Sequence, residues 1–330
     1  MKLEQLLSTR KCFKLVCGAG NEDAEEVEKL VALYAKAGAR YFDLSAREDV
    51  VLAAQRGLRR VISPNDLENY YLNVSVGIKG DPHVSKALID VLSCVNCGRC
   101  YEVCLHKAVL ETDGQYSINA TRCIGCGTCI RECDVLAISS YSKNRPLEEV
   151  LPPLVKLGID SIELHAVSDD EEGIAEQWNI IESCFSGILS LCVDRSSLGD
   201  RQLISRITRL IDGRKKYSTI IQADGAPMSG CDDFATTTLQ ALATAQIVQR
   251  ADLPVFLMLS GGTNSKTTKY AKEFDISAHG VALGSYARMI VREQIDRTDF
   301  LENAEVFSQA LTTAKALVEK SLSFIVNCWQ

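Results

Sequence analysis

The chain has 330 residues, of which 46% are apolar and 24% charged, and carries a formal net charge of −7. That balance supplies a globular core, and the acidic excess argues against nucleic-acid binding, which requires a basic face. The opening MKLEQLLSTRKC has neither the apolar stretch nor the small-residue cleavage site of a secretory signal, and no apolar run has the length of a membrane span. The expectation is a cytoplasmic protein with no membrane span.

In chain order, apolar strands alternate with amphipathic helices. Strands are expected at 13–19, 41–45 and 71–78, with a helix over 24–37. After the third strand the pattern breaks at Lys79-Gly80-Asp81-Pro82 and resumes near residue 144. Strands then follow at 161–167, 188–193, 218–223, 255–260 and 280–284, with helices over 201–212, 236–250 and 303–322. Eight buried strands alternating with helices specify a parallel sheet, and the number eight predicts closure into a (β/α)8 barrel; an open doubly wound sheet is the alternative. Setting aside 82–143 leaves roughly 265 residues, close to the usual size of that barrel. The expected organisation is therefore a barrel from 1–81 and 144–330, carrying an α+β insertion at 82–143. Loops that follow barrel strands gather at the C-terminal face, so the insertion should stand beside the mouth of any pocket.

The insertion holds most of the chemistry. Fourteen cysteines in a long chain without a secretory signal point to metal ligands rather than to a disulfide scaffold. Cys94, Cys97, Cys100 and Cys104 form C-x2-C-x2-C-x3-C, and Cys123, Cys126, Cys129 and Cys133 repeat that spacing without change. This is the run of two-cluster bacterial ferredoxins, in which the fourth cysteine of each run serves the other cluster. The expected cofactors are thus two [4Fe–4S] clusters, one on Cys94, Cys97, Cys100 and Cys133, the other on Cys123, Cys126, Cys129 and Cys104. Gly98, Gly125 and Gly127 let backbone N–H groups approach the sulfurs. Structural zinc is the rival reading, but its sites use paired C-x2-C units and fit a duplicated four-cysteine run poorly. The proline that usually ends the ferredoxin run is replaced by Leu105 and Asp134. His106 reads as an exposed loop histidine.

Three loops at barrel strand ends form a second candidate site. They are Asp224-Gly225-Ala226-Pro227-Met228-Ser229-Gly230-Cys231, Ser260-Gly261-Gly262-Thr263-Asn264, and Gly284-Ser285-Tyr286-Ala287-Arg288. Glycine turns after the seventh and eighth strands commonly bind phosphate in such barrels, and Ser285 and Arg288 would add donors and charge. A flavin mononucleotide or a phosphorylated metabolite would suit them; the plain alternative is that the glycines only make turns and caps. His165, Asp43 and Asp224 lie near strand ends, where acid–base work is done, although each also suits a structural hydrogen bond. Cys12, Cys17, Cys184, Cys192 and Cys328 read as small core residues, and Cys231 as an accessible thiol.

Taken in order, FKLVCGA, the two cysteine runs, SIELHAV, QADGAPMSG, SGGTN and GVALGSYAR resemble the light-dependent period modulator (LdpA) family of cyanobacteria and photosynthetic relatives. The resemblance runs from about Phe13 to Arg288 and implies an iron–sulfur protein that reports cellular redox state, in that family to the circadian clock. Two functions follow as expectations: a redox sensor or electron carrier that signals to a partner protein, or an oxidoreductase whose barrel binds flavin or a phosphorylated substrate and exchanges electrons with the clusters.

Overall fold

A computed structural model describes residues 2–18, 20–77, 85–142, 145–196, 198–226 and 234–325. Lys79 to Pro82, Pro227 to Cys231 and Cys328 lie outside the described residues. Eight strands form a closed barrel: β1 (Cys12–Val16), β2 (Tyr41–Ser45), β3 (Tyr71–Gly77), β8 (Ser161–His165), β9 (Ile188–Val193), β10 (Thr219–Asp224), β11 (Phe256–Ser260) and β12 (Gly280–Leu283). Every neighbouring pair around it is parallel. The expected closed barrel is present, with strand ends within three residues of the expected positions.

The four remaining strands are β4 (Ser85–Ile89), β5 (Val109–Thr112), β6 (Gln115–Ile118) and β7 (Ile138–Ser142). They form two antiparallel pairs, β4 with β7 and β5 with β6. Because β3 pairs directly with β8, all four belong to an excursion between two adjacent barrel strands. Its own small core contains Ala87, Ile89, Val109 and Ile138 together with the cysteines.

Side chains alternate along each barrel strand between the helical shell and the barrel interior. The shell-facing set, including Phe42, Leu44, Val74, Leu164, Leu191 and Leu259, packs with the surrounding helices into the main core. The interior changes character along its length. At the N-terminal end of the strands, Cys12, Tyr41, Tyr71, Ile188, Ile220 and Phe256 meet Leu3, Leu6 and Leu7 from a short N-terminal helix that plugs the barrel. Above that plug the interior is polar, which departs from the branched aliphatic filling usual in these barrels.

Two predictions test this frame. Leu7 is fully buried in the plug, so Leu7→Ala should cost about 2–5 kcal/mol in a urea titration. Asp160, at the base of β8, accepts from the Leu72 N–H at 2.8 Å, yet burial pushes its carboxyl up to about 6. The folded chain then holds this proton more tightly than the unfolded chain. Its contribution is complete below the unfolded value of 3.8 and is lost as pH rises through 6. Asp160→Asn keeps the acceptor and should flatten the dependence of stability on pH between about 4 and 6; an unchanged slope would mean that the carboxyl titrates normally.

Candidate functional site: a cysteine module over a polar barrel mouth

The two cysteine runs fold alike. Each ends its tight loop at a glycine in the left-handed region, Gly98 at φ 81° and Gly127 at φ 73°, which starts a one-turn helix, Arg99–Glu102 or Thr128–Arg131. A side chain at Gly98 would also strike the Tyr116 hydroxyl. After each run the chain turns back and donates a backbone N–H to the last sulfur: Ala108 to Cys104 Sγ at 3.2 Å and Ala137 to Cys133 Sγ at 3.3 Å. Further N–H groups reach Cys123 Sγ from Ala87 at 3.3 Å and Cys94 Sγ from Asn96 at 3.4 Å. Such bonds stabilise thiolate and tune potential. Cys104, Cys123, Cys126 and Cys129 line one small void, so the fourth cysteine of the first run joins three from the second. The Cys100 thiol is raised by burial and by its neighbours Cys94 and Cys97. A donor set of four thiolates with backbone N–H groups already turned toward them fits a [4Fe–4S] cube.

The second run faces the barrel. Lys86, buried on β4, donates to the Gly20 carbonyl at 2.6 Å and to the Cys123 carbonyl at 2.7 Å, tying the cysteine loop to the loop after β1. Glu22 N–H donates to Thr121 O at 2.7 Å, and Arg122 pairs with Asp23 at 2.7 Å and Asp296 at 3.1 Å. Ile124, between Cys123 and Cys126, forms part of the wall of a barrel-mouth cavity of about 100 Å³.

That cavity gathers most of the loop residues singled out from sequence. Asp224, Ser260, Gly261, Gly262, Thr263, Gly284, Ser285 and Arg288 line it, with Asp43, Glu163 and His165. Asn264 is absent from the lining; its N–H is held by Thr267 Oγ1 at 2.8 Å. The Gly262 carbonyl accepts from Thr237 and Thr238, and any side chain at that glycine would strike Ala226 O and Thr237. This glycine thus packs a turn while also forming the cavity wall. Arg288 is buried, donates to Cys17 O at 2.9 Å and leaves its Nε unpartnered. Asp224 is pushed up to about 6 by burial, accepts from Cys192 and Ser260, and leaves Oδ1 without a partner.

Sequence reasoning missed the residues beneath. Lys14 is fully buried inside the barrel, 2.5 Å from Glu163 Oε2, 3.5 Å from Asp43 and 3.3 Å from Gln222 Oε1. Burial opposes its charge, but Asp43 and Glu163 outweigh burial and hold the ammonium firmly protonated. Asp43 is raised by burial although Asn73 and Ser75 donate to it; Glu163 is lowered, because Lys14 and His165 overcome burial. His165 Nε2 lies 3.2 Å from Glu163 Oε1. The available signal was alternation: Asp43-x-Ser45, Asn73-x-Ser75, Glu163-x-His165, Ser190-x-Cys192 and Gln222-x-Asp224 put polar residues or a thiol at every second position of strands otherwise apolar. His106, expected at the surface, is instead buried with both ring nitrogens unpartnered. It lines the same void as the second-run cysteines, and burial followed by the Arg288 and Arg292 charges lowers its pKa well below the usual range.

Removing Lys14 strands two buried carboxylates, so Lys14→Met should destabilise the chain by about 3–5 kcal/mol. Denaturant titration of Lys14→Met beside the triple Lys14→Met, Asp43→Asn, Glu163→Gln checks this, since the triple variant should recover part of the loss. Equal loss in both would show that packing, not charge, dominates.

The chain matches the Light dependent period A C-terminal domain over residues 153–320 and a 4Fe-4S dicluster domain over residues 93–138. It is 30% identical over 322 residues to "Light dependent period A" of Synechococcus elongatus, covering 93% of this chain and 90% of that protein. Solved structures similar to it include the YdjI aldolase from Escherichia coli K12, at 10% identity and a TM-score of 0.49 over 98% of each chain. Another is tryptophan synthase subunit alpha from Legionella pneumophila, at 15% identity and a TM-score of 0.44 over 99% of this chain and 97% of that one. The barrel itself is established by its strand pairing, and no helix among the described residues is long and apolar enough to cross a membrane. With a 4Fe-4S dicluster domain at residues 93–138 and a relative matched along nearly its whole length, this iron–sulfur protein belongs to the Light dependent period A family.

Proposed function

We propose that the chain is a two-cluster redox protein that senses or relays single electrons and passes its state to a partner protein. In this reading residues 82–143 are a ferredoxin-like module set into a barrel of residues 1–81 and 144–330. Cys94, Cys97, Cys100 and Cys133 hold one [4Fe–4S] cluster; Cys123, Cys126, Cys129 and Cys104 hold the other. The observation that carries it is the void lined jointly by Cys104, Cys123, Cys126 and Cys129, a crossed arrangement that a zinc site built from each run separately would not need. Each cluster supplies a one-electron couple. The chain's own residues set its surroundings: the backbone N–H groups on the sulfurs favour the more negative state, and Lys86 and Arg288 place positive charge between the second run and the barrel.

The partner part of the proposal rests on surface chemistry. Leu88, Val91, Leu92, Val95, Tyr101 and Leu136 are exposed on the module, several of them beside Cys94, Cys97 and Cys133. An apolar rim around a solvent-facing cluster suits a transient docking partner for electron exchange. The relative's name links it to light and period, and a partner in light-dependent period control, in the cytoplasm, is the form this proposal takes. The net charge of −7 favours a protein partner over nucleic acid. The second reading, an oxidoreductase, is favoured by the polar cavity under Ile124; its volume of about 100 Å³ suits a small polar or phosphorylated molecule better than flavin mononucleotide.

Iron analysis tests the cluster assignment. The protein purified without oxygen should hold about eight irons, and Cys97→Ser and Cys126→Ser should each lose roughly half of them. Zinc in their place, or loss of all iron in both variants, overturns the two-site assignment. Partner affinity compared between dithionite-reduced and air-protected oxidised protein should differ; identical binding removes the sensing role, and stoichiometric flavin released by acid moves the assignment to the oxidoreductase.

A further inference from the structure

Below the mouth cavity, three side chains of different chemistry converge from adjacent strands. Glu163 and His165 take alternate inward positions on β8, and Cys192 is the register partner of His165 on β9. One ligand atom from each lies within 4.8 Å of the other two, and all three residues are buried. Asp224, on the next strand, hydrogen-bonds to Cys192 and turns an unpartnered Oδ1 in the same enclosure. Cys192 stands outside both cysteine runs, so the cluster assignment does not account for it.

We propose that Glu163, His165 and Cys192, with Asp224 beside them, form a mononuclear site for a zinc-class divalent transition ion, separate from the iron–sulfur clusters. A tetrahedral zinc with one sulfur and otherwise nitrogen and oxygen ligands sets those atoms about 3.5 Å apart. The Glu163 Oε1 and His165 Nε2 pair already stands at 3.2 Å, and side-chain torsion closes the remaining gap to Cys192. The carboxylate is divided to suit: Oε2 belongs to Lys14 at 2.5 Å, leaving Oε1 for the ion. Lys14 thereby acts as the outer partner that orients a ligand.

Charge points the same way. Asp43 and Glu163 both stand against the Lys14 ammonium, and Asp224 lies with Glu163 and the buried Arg288 on the wall of the mouth cavity. Arg288 is already bonded to the Cys17 carbonyl and Lys14 to Glu163 Oε2, so a divalent ion would set its charge against Glu163 Oε1 and Asp224. The donor types select among metals: thiolate with imidazole and carboxylate suits zinc or ferrous iron and disfavours magnesium and calcium, which take oxygen. Asp224, His165 and Glu163 also line the mouth cavity, so the ion keeps a position open to a water or a small oxygen-donor ligand, beneath Ile124 of the second cysteine loop.

The test uses the full chain with its clusters assembled, zinc as the probe, elemental analysis and zinc-edge X-ray absorption. One zinc per chain beyond the iron is expected, with one sulfur at about 2.3 Å and otherwise nitrogen or oxygen neighbours. Cys192→Ala and His165→Ala should each lower zinc affinity by tenfold or more while iron and sulfide stay unchanged. Absence of bound zinc, a four-sulfur shell that puts the zinc on the cluster cysteines, or full zinc retention in both variants overturns the site. If either variant fails to fold, the sulfur count in the unaltered protein decides alone. Iron is measured in the same samples, so failure of the cluster assignment is read separately from failure of this one.

Discussion

The barrel depends on one buried cation. Lys14 carries its charge inside a closed sheet, where an unpaired ammonium would cost several kcal/mol, and it is tolerable because Asp43 on the neighbouring strand β2 and Glu163 on β8 stand against it. The same pairing makes the carboxylates tolerable. Around it run Asn73, Ser75, Ser161, Ser190, Gln222 and Tyr41, which hydrogen-bond to Asp43 and to one another. A polar centre of this kind gains nothing over aliphatic packing in stability, and here it takes the place of the usual branched filling.

The cysteine module gains its position from that barrel. Lys86 bridges two carbonyls, one on each side of the junction, and Arg122 spans from the second cysteine run to Asp23 and Asp296. These contacts make the Cys123–Cys126 loop the roof of the cavity, and they put His106, Arg288 and Arg292 in one buried group beside it. A change of charge at the second cysteine group is therefore felt at Arg288, whose own field reaches Cys126, and through it at the cavity. The first cysteine group faces the other way, toward an apolar rim. Outer surface, cysteine groups and barrel cavity thus lie in sequence along one module.

The two cysteine runs were legible at once because cluster ligation fixes spacing within a short segment. Gly98 and Gly127 were legible for the same local reason, since only a left-handed residue closes so tight a loop without strain. Barrel strands were legible from buried apolar runs, and their ends fell within three residues. Lys14 and Glu163 were not singled out, and Cys192 read as a small core residue, because a lone such residue in an apolar run looks the same whether it points into a shell of helices or into a barrel. His106 was misjudged for a related reason: its neighbours in sequence are loop residues, while its neighbours in space, Arg288 and Arg292, come from the far end of the chain.

The sequence by itself determined the element order, the parallel pairing of the strands and the duplicated thiolate sets, since each follows from periodicity or spacing within a few dozen residues. Tertiary structure alone decided which polar residues meet. Lys14 and Glu163 are separated by 149 positions, and Arg288 and Cys17 by 271. Barrel closure brings them within hydrogen-bond reach, and no local pattern records a distance set by the curvature of the whole sheet.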